Sequence, residues 1–213
     1  MRFDVITIFP RIFDSYLNES LFKRAVKSGI VDIRVHDLRK YSSDKRHHKV
    51  DDKPFGGGPG MVMQVEPIYK VVSHLKAKSS KLKARTILFS TRGKKLDAKT
   101  AKRLSRYDRL VLICGRYEGV DERVAEHIAD EELSVGEYVL SGGEIPALAL
   151  MEAVSRYLPG FLGKYESLED VKGSYPVYTR PEVFLPKRGA KWSVPKDLMM
   201  GDHKRIAAWR KRT

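Results

Sequence analysis

The sequence predicts an α/β protein: a parallel sheet with helices on both faces, followed by a short helical C-terminal segment. Three observations predict it. Short β-branched, apolar runs alternate with helical stretches over roughly the first 160 residues, the pattern of a parallel sheet. Glycine-rich polar loops follow two of the apolar runs, at the carboxyl ends where open α/β sheets hold ligands. After Pro159-Gly160 the alternation stops, and the remainder is too short for a large core of its own.

The elements follow in order. FDVITIF (residues 3–9) is a buried strand by its apolar content, and SLFKRAVKSG is a helix closed by Gly29. IVDIRVHDL (30–38) alternates as a strand. Residues 39–64 are polar, glycine-rich and too long for a routine connection, which marks them as functional or partly mobile. Residues 67–78 are helical. RTILFS and RLVLIC are two further buried strands, separated by the helix DAKTAKRLSR with Asp97 as its N-cap. VDERVAEHIA and the longer GEIPALALMEAVSRYL complete the helices of the first part. The chain therefore divides into 1–160 as the main domain, 161–178 as a linker and 179–213 as a short C-terminal segment.

At 213 residues with 42% hydrophobic content, the chain can bury one sizeable core. It contains no apolar run of eighteen residues and no signal peptide pattern, so a soluble, cytoplasmic protein with no membrane partner is expected. The single cysteine, Cys114, excludes a disulfide framework and a cysteine-based zinc site.

Charge narrows the partner. Lys and Arg number 41 against 27 acids, a net charge of +14. Thirteen basic residues stand between 75 and 109 against Asp97 and Asp108, and nine between 187 and 213 against Asp197 and Asp202. Between 115 and 152 the balance reverses, with ten acids against Arg116 and Arg123. Solvated basic faces are one reading. Basic blocks flanking an acidic, glycine-rich middle favour the other, a nucleic acid.

The stretch DDKPFGGGPGMVM (51–63) looks built for phosphate but matches neither phosphate fingerprint. No Lys-Ser/Thr follows its glycines, and Met61 occupies the last glycine position of the dinucleotide pattern. Three other loops, STRG, GRYEGVDER and SVGEYVLSGGE, converge in the predicted sheet. Their glycines let a ligand lie against main chain. A β-carbon at Gly115 or Gly136 is expected to clash with that ligand or with a left-handed backbone.

DDKPFGGGPGM, CGRYEGVDERV, SVGEYVLSGGEIPAL, VSRYLPG and YTRPEVF together resemble the bacterial tRNA (guanine-37 N1)-methyltransferases of the SPOUT superfamily, in order and near their spacing over residues 1–184. The resemblance implies a deep trefoil knot in the α/β domain, a homodimer with active sites at the subunit interface, and S-adenosylmethionine as methyl donor. It places the donor against Ser90, Gly115, Tyr117, Val135, Gly136 and Glu137, and against Tyr138, Val139, Leu140, Gly142 and Gly143. It sets Glu118 facing the guanine, Arg156 as the catalytic arginine, and Gly57, Gly58 and Pro59 beside the target base of the tRNA.

The resemblance also implies a linker carboxylate as general base. Here the linker is several residues short; Asp170 is its best match, with Glu169 and Glu166 as competitors. Thr91 and Arg92 replace a common Pro-Gln, and the C-terminal segment stops where further helices usually follow. Magnesium (Mg2+) is implied by the family alone, since no metal-ligand cluster appears and His47-His48 lacks partners. Cys114 is expected to be a buried strand-end residue, and Trp192 and Trp209 to pack the C-terminal segment. Two other readings stay open: methylation at another RNA position or on ribose, and an RNA-binding protein that has lost its base.

Overall fold

A computed structural model describes residues 1–77, 82–164, 168, 171, 173–187 and 189–212. The chain forms two compact units, Met1–Lys164 and Tyr165–Thr213.

The first unit is a five-stranded sheet in the order β2-β1-β6-β5-β7, every neighbouring pair parallel. Its strands are β1 (Arg2–Thr7), β2 (Asp32–Asp37), β5 (Ala84–Lys95), β6 (Arg109–Ile113) and β7 (Glu131–Ser134). The helices are α1 (Asp14–Leu17), α2 (Ser20–Lys27), α3 (Val65–Ala77), α4 (Ala98–Leu104), α5 (Glu122–His127) and α6 (Glu144–Ser155).

Side-chain alternation along the strands sends their apolar residues to two separate cores. Phe3 and Val5, Leu110 and Leu112, and Ile87 and Phe89 pack with α2, α4 and α6 on one face. Ile6, Val111, Ile113 and Leu88 pack with α3 and α5 on the other. Helices therefore cover both faces, as the sequence predicts. Asp97 caps α4 as expected, its carboxylate accepting from the Thr100 N–H at 2.7 Å.

Two elements depart from the expectation. β7, EELS, is a fifth strand where none is predicted; its four residues are too few for a visible alternation. Residues 39–64 contain an antiparallel pair, β3 (Asp51–Asp52) with β4 (Val62–Met63), which ties off the glycine-rich loop at its base.

A buried charge group centres on Asp4. Asp4 and Arg109 are fully buried, with Arg109 Nε 2.6 Å from Asp4 Oδ2. His36 Nε2 stands 2.6 Å from the other carboxylate oxygen, and Arg2 lies 2.9 Å away.

The second unit carries a two-stranded pair, Val183–Phe184 with Trp192–Ser193, and the helices Lys196–Met199 and His203–Arg212. Its aromatic rings pair: Phe184 with Trp192 at 5.6 Å between centroids, and Tyr178 with Trp209 at 6.0 Å. Both tryptophans thus have ring partners inside this unit.

Candidate active site

A cavity of about 430 Å³ opens at the carboxyl ends of β6 and β7 and at a bulge in β5, within the range of small-molecule sites. Each of the three predicted loops contributes. Ser90, Thr91 and Arg92 come from β5, Gly115 to Val120 from the loop after β6, and Val135 with Tyr138 to Gly143 from the loop after β7.

The first loop is a bulge within a strand. Phe89 and Lys94 both pair with Leu133, so residues 90–93 leave the sheet and β5 then resumes. Gly93 ends the bulge where a Cβ would stand 2.6 Å from the Leu133 nitrogen.

The second and third loops are pressed together. The Gly143 N–H donates to the Gly115 carbonyl at 2.9 Å. Glu144, buried at the start of α6, locks the contact: Oε1 accepts from Thr7 Oγ1 at 2.7 Å, Oε2 from Arg116 Nε at 2.9 Å. The Arg116 guanidinium also lies over the Phe9 ring, 4.7 Å from its centroid. A Cβ on Gly142 would fall 2.3 Å from Arg116 Nε. No sequence pattern pointed to this clamp, because residues 7, 116 and 144 meet only through the fold.

The backbone reason for the glycines differs from the expectation. Neither Gly115 nor Gly136 adopts a left-handed conformation. Gly136 is required by close approach, since its Cβ would lie 2.2 Å from the Tyr138 ring; at Gly115 the neighbour is Val120 Cγ2, at 2.9 Å. The left-handed non-glycine residue here is Tyr117, at φ +61°, a strain of about 1–3 kcal/mol that concentrates at functional sites.

Of the eleven residues expected around the donor, nine line the cavity: Ser90, Gly115, Tyr117, Val135, Tyr138, Val139, Leu140, Gly142 and Gly143. Gly136 stands behind Tyr138, and the Glu137 carboxylate turns outward to Lys95 Nζ at 2.5 Å. Glu118 is exposed at the rim. Beside it runs the loop of Gly57, Gly58 and Pro59, tied by the Glu118 N–H to the Met61 carbonyl at 3.0 Å. Arg92 and Glu122, both at the cavity and neither assigned a role from the sequence, form an ion pair at 2.6 Å.

Arg156 is not brought to the cavity of its own chain. It caps the far end of α6, roughly 20 Å along the helix from Gly143 at 1.5 Å per residue, where its guanidinium stands 3.9 Å from Glu152. Asp170, Glu169 and Glu166 lie outside the described residues. Cys114 is fully buried, and burial pushes its thiol well above the ordinary range. Among the described residues no group of three His, Cys, Asp or Glu could hold a metal ion, and no helix is long and apolar enough to cross a membrane.

A parallel α/β sheet with a loop-built cavity at its strand ends defines a small-ligand enzyme domain. The family model "tRNA (Guanine-1)-methyltransferase TrmD" matches residues 1–213. A tRNA (guanine-N(1)-)-methyltransferase of Rhodopirellula baltica is 46% identical, over 99% of this chain and 87% of that protein. One of Geobacter sulfurreducens is 45% identical, over 99% and 85%. The crystal structure of a tRNA (m1G37) methyltransferase from Aquifex aeolicus superposes with a TM-score of 0.81 at 44% identity, covering 98% of this chain and 87% of that one. The chain belongs to the tRNA (guanine-1)-methyltransferase family and has its SPOUT-type α/β fold.

Proposed function

We propose that this protein transfers a methyl group from S-adenosylmethionine to N1 of guanine 37, next to the anticodon of tRNA, in the cytoplasm. The observation that carries the reading is the glycine-lined cavity, open to a ligand where side chains at Gly142 and Gly143 would obstruct the crossing loops, in a chain that matches this family from end to end.

The donor lies against Ser90, Tyr117, Val135, Tyr138, Leu140 and the bare backbone at Gly115, Gly142 and Gly143, with Gly136, Glu137 and Val139 flanking. When bound, its sulfonium supplies a methyl group already activated for displacement. The protein's task is then alignment and proton management. Guanine N1 carries a proton and is a poor nucleophile near neutral pH. The carboxylate of Asp170, with Glu169 and Glu166 as competitors, accepts that proton as the N–C bond forms. As that proton leaves, negative charge develops on O6, where the Arg156 guanidinium stabilises it until N1 takes the methyl group and the S–C bond of the donor breaks. Because Arg156 stands so far along α6 from its own cavity, it reaches the reacting base from a second copy of the chain. That makes the working unit a homodimer with composite sites. Glu118, at the rim beside the Gly57–Pro59 turn, faces the extruded guanine. No step is assigned to magnesium.

Incubation with labelled S-adenosylmethionine and tRNA transcripts, followed by nucleoside analysis, tests the reading. N1-methylguanosine is expected from a transcript with guanine at 37 and not from one with adenine there. Label on a ribose, on another base, or nowhere would overturn it.

A further inference from the structure

Phe55 is entirely exposed, more so than the other large apolar side chains among the described residues. Its loop is anchored at the base. Pro54 and Pro59 bracket the turn, and Gly56, Gly57, Gly58 and Gly60 all take left-handed backbone angles. The Gly57 N–H closes the turn on the Pro54 carbonyl at 3.3 Å. At its base, Asp52 pairs with Val62, and the Met63 N–H donates to the Gly119 carbonyl at 3.0 Å. Gly60 fits against Glu118 so closely that a Cβ would lie 2.5 Å from Glu118 Cγ. The ring is thus displayed on an anchored loop, within roughly 18 Å of chain from Gly60, which packs on Glu118 at the cavity rim.

An enzyme that reacts at guanine N1 must draw that base out of its stack, which leaves the neighbouring bases without a partner. Aromatic side chains take up such faces in single-stranded RNA. We propose that Phe55 is a substrate-positioning residue that stacks on a base flanking the extruded guanine, with Lys53 beside it to meet the backbone phosphate. The proposal rests on the RNA substrate argued above.

The test pairs RNA binding with methyl transfer, using an anticodon-loop RNA with 2-aminopurine beside the target guanine. Binding of the wild-type protein is expected to change the fluorescence, and Phe55→Tyr to reproduce the change. Phe55→Ala and Phe55→Leu should abolish it and raise KM for tRNA about 5- to 150-fold. Affinity for S-adenosylmethionine and oligomeric state should stay as in the wild type. Wild-type fluorescence and KM in Phe55→Ala would overturn the proposal. So would full activity in Phe55→Leu, or a changed oligomeric state, which would mean that the ring covers a protein surface instead. The fluorescence arm reads the contact whether or not transfer occurs, so failure of the methyl-transfer reading shows separately, as unmethylated guanine with wild-type protein.

Discussion

A Cβ on Gly143 would stand 2.6 Å from the Cα of Cys114. The start of α6 thus crosses the end of β6 backbone to backbone, and nothing at the contact is a flexible side chain that could yield. Gly143→Ala is therefore expected to lower stability by at least about 1–3 kcal/mol, as overpacked cores do, and to drop the unfolding temperature. A Cβ on Gly163 would meet no atom within 4 Å, so Gly163→Ala should change little. Equal unfolding temperatures for the two variants would remove the crossing as a structural constraint.

Gly136 should behave differently. Its added Cβ meets the far end of the Tyr138 ring, and Tyr138 is more than half exposed. Gly136→Ala should keep the fold and push the ring into the cavity. Calorimetry is expected to show donor affinity weakened about tenfold, or 1.4 kcal/mol, with an unfolding temperature near wild type. Undisturbed affinity would separate Tyr138 from the donor site.

The position of Arg156 predicts complementation. A heterodimer of an Arg156→Ala chain with a Gly142→Val chain has one wild-type cavity facing one wild-type arginine. It should recover about half of the wild-type activity, while each parent homodimer stays inactive. An inactive purified heterodimer would mean that Arg156 serves its own chain.

For the proposed base, Asp170→Asn keeps the shape and would remove the proton acceptor. Single-turnover transfer should fall by about 10²–10⁴-fold, with donor and tRNA binding within a few-fold of wild type. Glu169→Gln and Glu166→Gln should lose far less. The reverse pattern would move the base to Glu169.

Asp4 predicts an acid limit on stability. Burial alone would push its carboxyl up, but hydrogen bonds with His36, Arg109 and Arg2 outweigh burial and hold it at about 2, against an ordinary 3.8. The carboxylate is the form favoured by the fold. Its contribution is complete above about pH 4 and is lost as pH falls through about 2. Denaturant midpoints between pH 6 and 2 should fall for the wild type. Asp4→Asn should be less stable at pH 7 by about 3–5 kcal/mol, since it removes the anion beside a buried guanidinium, and flatter across the acid window. Parallel curves would show that Asp4 does not set the acid limit.

The sequence revealed those parts of the fold that depend on local pattern. β1, β2, β5 and β6 carry enough apolar residues to read as strands, and α4 announces itself through the Asp97 cap. β7 stayed hidden because Glu131 and Glu132 make half of its length acidic, and only its neighbour β5 makes it a strand. The cavity was legible as three glycine-rich loops, but not the Thr7–Glu144–Arg116 clamp, which joins residues that no sequence spacing relates. The glycines were recognised with an incomplete reason: close packing within each loop, rather than left-handed backbone, crowds a side chain at Gly115 and Gly136.

The bulge in β5 has a consequence for variation. Leu133 pairs with Phe89 before the bulge and with Lys94 after it, so β7 runs on as though the four intervening residues were absent. Ser90, Thr91 and Arg92 can therefore be exchanged, lengthened or trimmed while both strands keep their register. Gly93 alone cannot, since it presses on the Leu133 backbone. The rim of the cavity is in this sense a replaceable cartridge in a fixed frame, and a Thr-Arg pair in place of a Pro-Gln is the kind of change such a frame absorbs.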